Sequence, residues 1–246
     1  MEYLGIDIGG TGIKGAVVNV ETGELVTERL RVLTPQPATP AAVVETVRKI
    51  KEQHQWHGPI GIGFPAAIRS SIVKTASNID KSWIGVDADA LFTQGLGCPT
   101  RVINDVDAAG QAEMKFGAGK VHSGTGSVLV VALGTGIGTA LFTKGHLVPN
   151  TELGHLRMKG GPAEDYCSNR VREEEDLSWK KWGKRLNKYL NILTERMWPD
   201  LIIIGGGVSK KFDKFEQHLD VPSEVIPAAL LNHAGTVGAA MAAPRD

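Results

Sequence analysis

The sequence predicts an α/β fold built as two related halves, and three observations lead there. Short β-rich stretches punctuated by glycine alternate with helical patterns along the chain, which argues for helices layered on mixed sheets. Gly10-Thr11-Gly12-Ile13 reappears near mid-chain as Gly134-Thr135-Gly136-Ile137, and Ala16 falls on Ala140 at the same offset. Such self-similarity points to duplicated architecture. Finally, 246 residues at 42% hydrophobic content can bury a large core, near the size where one core becomes two lobes.

The elements follow in order. Tyr3 to Ile8, Ile13 to Val20 and, after the turn Glu21-Thr22-Gly23, Glu24 to Leu33 read as a three-stranded antiparallel start. Thr39-Pro40 opens a helix, with Thr39 as N-cap and Pro40 at the first helical position, and Val43, Val44, Val47 and Ile50 share one face. Pro59 to Phe64 and Arg101 to Ile103 are short buried-type strands, and Asp105 to Phe116 is a helix. Ser127 to Leu133 and Ile137 to Phe142 form a hairpin across glycines, and Leu201 to Ile204 is a strand running into Gly205-Gly206-Gly207.

Both Gly/Thr turns suit phosphate. A glycine turn lets backbone N–H groups approach phosphate oxygens with no Cβ in the way, and a threonine hydroxyl adds a donor. In the first turn this marks Gly9, Gly10 and Thr11, with Asp7 placed to hold Mg²⁺ through water and Lys14 to meet phosphate charge. In the second it marks Gly134, Thr135, Gly136 and Gly138. Neither is a Walker A sequence, and plain hairpin turns are the competing reading. Gly206 and Gly207 lie in a strand-to-helix turn that could admit a nucleotide or phosphate chain. A dinucleotide fingerprint is absent there, since no GxGxxG opens a helix.

Asn104-Asp105 closes a strand at the mouth of a helix. A carboxylate there can take a hydroxyl proton and the amide can serve polyol hydroxyls, although Asn-Asp is also an ordinary N-cap. Glu152-Leu153-Gly154-His155 is a second polar cluster, and Ser77-Asn78 ahead of Trp83 a third. The charge balance, 27 basic against 27 acidic residues, asks for no nucleic acid and no anionic membrane. Two distant cysteines, Cys98 and Cys167, read as reduced packing thiols. With no signal-peptide pattern and no long apolar run, a cytoplasmic enzyme is expected.

Taken in order, Asp-x-Gly-Gly-Thr, Gly-x-Gly-x-Pro, Asn-x-x-x-x-Trp, Asn-Asp, Gly-Thr-Gly-x-Gly, Glu-x-Gly-His and Gly-Gly-Gly-Val-Ser resemble the ROK family of bacterial sugar kinases and regulators across essentially the whole chain. The resemblance implies the duplicated actin-like ATPase (ribonuclease H-like) fold, with lobes at 1–105 plus 230–246 and at 106–229 around an interlobe cleft. It implies that Asp105 is the catalytic base, that Asn78, Asn104, Glu152, His155 and Glu164 hold the sugar, and that the Gly/Thr turns hold phosphate. It also implies Mg²⁺ and a homodimer.

The departures from the family pattern carry information too. Of the family's Cys-x-Cys-Gly-x-x-Gly-Cys zinc cluster only Cys167 remains, so no structural zinc is expected. Gly-Gly-Thr-Gly-Ile-Lys in the first loop, Pro65-Ala66, Asn78 to Trp83 and the Glu173 to Trp182 stretch resemble the polyphosphate glucokinase branch, which moves phosphate from inorganic polyphosphate, and in some members ATP, to glucose. An ATP-dependent glucokinase or mannose kinase is the alternative. A sugar-sensing regulator is another, for which a helix-turn-helix segment is expected ahead of the first strand. In the helix expected over Leu177 to Leu193, Trp182, Leu186, Tyr189, Leu190 and Leu193 read as core, and Lys180, Lys181, Lys184, Arg185 and Lys188 as a solvated face, with a polyphosphate track as the alternative.

Overall fold

A computed structural model of the chain describes residues 1–77 and 79–245. The chain divides into two compact units, Met1–Ala112 with His233–Asp246, and Glu113–Asn232. Each is built on a five-stranded mixed sheet.

In the first unit the sheet runs β3(Leu30–Leu33), β2(Gly12–Asn19), β1(Glu2–Ile8), β4(Ile60–Phe64), β5(Thr100–Asn104). The first three form an antiparallel meander, and β4 and β5 add parallel to β1. The third strand is shorter than the expected Glu24 to Leu33. Leu25 makes one isolated bridge to Val18, and the Thr27 hydroxyl accepts the Val17 N–H at 3.0 Å, so a side chain takes the place of a backbone carbonyl in the ladder.

Side chains alternate across a strand, so this sheet has two distinct faces. Leu4, Ile6, Ile8, Ile60, Ile62 and Phe64 pack against α1(Pro40–Gln53) and α2(Ala88–Leu96). On α1 the Thr39 hydroxyl accepts the Ala42 N–H, a cap worth about 1 kcal/mol, and Val43, Val44, Val47 and Ile50 are buried as the pattern predicts. The other face offers Gly5 and Gly61 to the small-residue helix α7(Ala234–Ala242). A Cβ on Gly61 would sit 1.7 Å from the Ala239 carbonyl oxygen, and one on Gly5 would sit 2.0 Å from that of Thr236. Backbone meets backbone there. The helix α3(Asp105–Phe116) leaves the end of β5, and Ala108 on it meets Gly238 of α7.

The second unit repeats this plan. Its sheet runs β8(His146–Val148), β7(Ile137–Thr143), β6(Ser127–Leu133), β9(Leu201–Gly205), β10(Glu224–Pro227), again a meander followed by two parallel strands. The echo in sequence is an echo in plan, with the second turn one residue shorter than the first. Ile8 faces Ile13 across the first hairpin and Leu133 faces Ile137 across the second, with Ala16 and Ala140 at matching positions. The core here gathers around Trp182, Leu186, Tyr189, Leu190 and Leu193 of α6(Trp179–Met197). Phe215 stacks against Trp179 and meets Trp182 edge-on, at 5.9 and 4.9 Å between ring centroids. Two short helices, α4(Glu164–Cys167) and α5(Asn169–Glu174), follow one another beside it. Both cysteines are buried free thiols, and burial pushes Cys167 up to about 12. No helix among the described residues is long and apolar enough to cross a membrane.

Candidate active site

In the first unit the candidate residues collect at the carboxyl ends of parallel strands, where open α/β sheets bind ligands. The turn after β1 is closed by the Gly9 N–H donating to the Gly12 carbonyl at 3.1 Å, and it is anchored by the Thr34 hydroxyl, which donates to the Gly9 carbonyl at 2.6 Å. Hairpin register sets Asp7 opposite Lys14, and the ammonium lies 2.8 Å from the Asp7 carboxylate. Lys14, expected to meet phosphate, is thus paired with the candidate metal-holding acid. Gly235, near the start of α7, borders the same carboxylate: a Cβ there would stand 2.8 Å from Cγ of Asp7.

Asn104 ends β5 and caps α3. Its Oδ1 accepts the N–H groups of Val106 and Asp107 at 2.9 and 3.0 Å, and its Nδ2 donates to the Ala66 carbonyl at 3.2 Å. These bonds give the amide a positioning role, fixing the first turn of the helix on which Asp105 stands. Asp105 itself is half-buried, and its Oδ1 also accepts the Val106 N–H at 2.9 Å. Gly63 of β4 leaves room beside it, since a Cβ there would be 3.4 Å from the Asp105 Cα. Asn78 lies outside the described residues. Trp83 is fully buried and donates its indole N–H to the Ala38 carbonyl, so this motif tryptophan is core.

In the second unit the two glycine turns are neighbours. β6 and β9 are parallel, with Gly205 opposite Ala132, so the Gly134 turn and the Gly205 to Gly207 turn leave adjacent strands at the same edge. Gly206 has φ 78° and ψ −179°, and a Cβ on it would meet the Leu133 carbonyl oxygen at 2.4 Å. By contrast, Gly134 and Gly207 have open space where a Cβ would go. The element after this turn, Gly207–Lys214, is 3-10 in type and kinked at Lys211.

Glu152, His155 and Glu164 come together beside the start of β7. Nδ1 of His155 lies 3.6 Å from Glu152, and Nε2 lies 3.6 Å from Glu164. Glu164 Oε2 accepts the Ile137 N–H at 3.2 Å, tying the cluster to the strand that follows the Gly134 turn. Burial lifts the Glu152 carboxyl above its ordinary value, with His155 opposing that rise and Glu164 adding to it. An imidazole between two carboxylates offers both hydrogen-bond donors and acceptors.

Arg170, which no sequence pattern marked, braces the second turn. Its backbone N–H donates to the Gly134 carbonyl and its Nε to that of Thr135, both at 3.1 Å, while its guanidinium is held by Asp165 and Glu174. Among the described residues no group of three or more His, Cys, Asp or Glu side chains is arranged to hold a metal. The acid at Asp7 suits an ion that takes one carboxylate and draws its other ligands from water and donor phosphates, as Mg²⁺ does.

Comparison with known proteins gives the family. The chain is 45% identical over 244 residues to a polyphosphate glucokinase of Mycobacterium tuberculosis, covering 99% of this chain and 91% of that one. Its fold matches an inorganic polyphosphate/ATP-glucomannokinase from Arthrobacter sp. strain KM with a TM-score of 0.93 at 46% identity, covering 98% and 97% of the two chains. A ROK family glucokinase from Streptomyces griseus, solved with glucose and AMPPNP, matches at a TM-score of 0.84 and 24% identity over 99% of each chain, a likeness of fold. The model of the ROK family matches residues 3–171, and with duplicated sheets, paired glycine turns and an acid at the mouth of α3, the chain belongs to the ROK family and has its actin-like ATPase fold.

Proposed function

We propose that this enzyme phosphorylates glucose at its 6-hydroxyl with inorganic polyphosphate as phosphoryl donor. The observation that carries the reading is 45% identity to polyphosphate glucokinase over 99% of a chain that keeps an acid at the start of α3. Asp105 accepts the 6-hydroxyl proton as that oxygen attacks the terminal phosphorus. The bond from phosphorus to the bridging oxygen breaks, giving glucose 6-phosphate and a polyphosphate one unit shorter.

General-base help of this kind contributes roughly 10²–10⁴ in rate. The remainder comes from alignment and from stabilising charge on the transferring group. Asn104 holds the turn that aims Asp105, and with Asn78 it belongs to the sugar set of this reading. Glu152, His155 and Glu164 bind hydroxyls. The turns at Gly9 to Thr11, at Gly134 to Gly138 and at Gly206 and Gly207 present backbone N–H groups to donor phosphates, and Arg170 keeps the second of these in shape. Mg²⁺, bound by donor phosphates and through water by Asp7, would supply charge neutralisation on the phosphate oxygens. A homodimer in the cytoplasm belongs to the same reading, and light scattering on the purified protein tests the assembly.

One observation favours a wider range of substrates: the Arthrobacter relative is described as a polyphosphate/ATP-glucomannokinase. ATP as a second donor and mannose as a second acceptor follow from it. Purified protein is assayed with glucose or mannose, Mg²⁺, and polyphosphate or ATP, and product formed only from ATP overturns the donor assignment. Asp105→Asn is expected to lower turnover by about 10²-fold or more while glucose affinity stays within a few-fold. Retained turnover would remove Asp105 from its role.

A further inference from the structure

Helix α6 has two faces of opposite character. Trp182, Leu186, Tyr189 and Leu190 are buried in the core of the second unit. On the other side, Lys181, Lys184 and Lys188 recur at helical spacing, and with Arg185, Tyr166 and Leu177 they line a pocket of about 290 Å³. No carboxylate is among these lining residues.

Arg185 is fixed in place. It donates to the Tyr166 carbonyl at 3.2 Å and to Glu175 at 2.7 Å, and its guanidinium lies 5.1 Å from the centre of the Tyr166 ring. The three lysines differ: among the described residues none of their ammonium groups makes a hydrogen bond or an ion pair. Like charges three and four apart on a helix destabilise it, and this chain has no net charge that would make such a cluster a matter of composition. A bound polyanion relieves that repulsion.

The ligand chemistry follows from shape. Lysine binds phosphate as a point charge. From Lys181 to Lys188 the helix rises about 10 Å, so one phosphate ion cannot meet all three ammonium groups whereas an extended chain of phosphates can. One short helix links the pocket to the second glycine turn. Tyr166 stands on α4 with Glu164, whose carboxylate bonds Ile137 just after the Gly134 turn.

We propose that this pocket holds the trailing phosphates of a linear polyphosphate, away from the terminal unit that is transferred. The inference rests on the polyphosphate-donor reading above. The test compares the wild type with the Lys181→Ala/Lys184→Ala/Lys188→Ala variant, in which alanine at exposed helical positions keeps helix propensity and circular dichroism checks the fold. Two measurements are made: turnover with long-chain polyphosphate and with tripolyphosphate, and direct binding of long-chain polyphosphate against a single-stranded RNA of equal charge.

The variant is expected to raise KM for the long chain at least ten-fold and to leave KM for tripolyphosphate and glucose unchanged. Removing three cations should also flatten the dependence of log affinity on log salt by about 2, as for single-stranded polyanions. Unchanged long-chain KM and affinity in the variant overturn the pocket while leaving the donor reading intact. A wild type that makes no glucose 6-phosphate from any polyphosphate overturns the donor reading, and the binding arm then judges the pocket alone. RNA bound as tightly as polyphosphate overturns the assigned ligand.

Discussion

Adjacent glycines in the turn after β9 separate stability from donor binding. At Gly206 the backbone occupies a region open to glycine alone, and forcing another residue into it costs about 1–3 kcal/mol. The new Cβ would also lie 2.4 Å from the Leu133 carbonyl oxygen and 2.8 Å from the Leu133 nitrogen, which adds overpacking of about 1–3 kcal/mol. Gly206→Ala is therefore expected to destabilise the protein by about 2–6 kcal/mol, a fall in Tm of at least about 4 °C for a protein of this size. Gly207→Ala meets nothing within 4 Å, so its Tm should stay within about 2 °C of wild type. Its methyl group instead stands where a donor phosphate would approach the turn, and loss of one charge-assisted hydrogen bond should raise donor KM about ten-fold or more, with glucose KM unmoved. Thermal melts and steady-state kinetics on both variants read out the two effects. An unaltered Tm for Gly206→Ala would refute the close approach to β6, and an unaltered donor KM for Gly207→Ala would refute the phosphate assignment.

Gly235→Ala drives a methyl against the Asp7 carboxylate, 2.8 Å from Cγ, and a displacement of about 1 Å near the chemistry should cut kcat about 10²-fold; wild-type kcat would show that Asp7 placement is immaterial. Because the folded pKa of Glu152 lies above its ordinary 4.5, the native state holds that proton more tightly than the unfolded chain. The resulting stabilisation is present below 4.5 and lost as pH rises through the folded value. Wild type should thus lose stability relative to Glu152→Gln as pH is raised from 4.5, and parallel pH profiles would contradict the burial argument. Burial raises both thiols, Cys167 to about 12, so a thiol reagent at pH 8 should label neither cysteine until the protein unfolds. Rapid labelling of the native protein would exclude that packing.

Periodicity and glycine placement made much of the architecture legible. The valine and isoleucine stripe of α1, the hairpin glycines and the repeat at Gly134 all correspond to observed elements, because each is dictated by residues close in sequence. Helix α2 was not legible, since only Ala88, Phe92 and Leu96 face its core and three positions make a weak pattern. Side-chain partnerships were harder still. Arg170 reaches the Gly134 turn from 35 residues away, and Gly235 touches Asp7 from the far end of the chain. The Asp7 to Lys14 pair was within reach, because hairpin register alone sets them opposite one another. Asn104 shows the reverse case, where one dipeptide admits capping and catalysis alike and the bonds to Val106 and Asp107 reveal the cap.

The helix that fits against Gly5 and Gly61 is also synthesised after every strand it covers. Domains fold as units during synthesis, and the second unit is contiguous, so it can close as soon as Asn232 has emerged. The first unit cannot. One face of its sheet stays bare until Ala234 to Ala242 arrives, although its strands were made first. The half bearing Asp105 is thus completed after its younger twin, and the synthesis of Ala234 to Ala242 decides when that half closes.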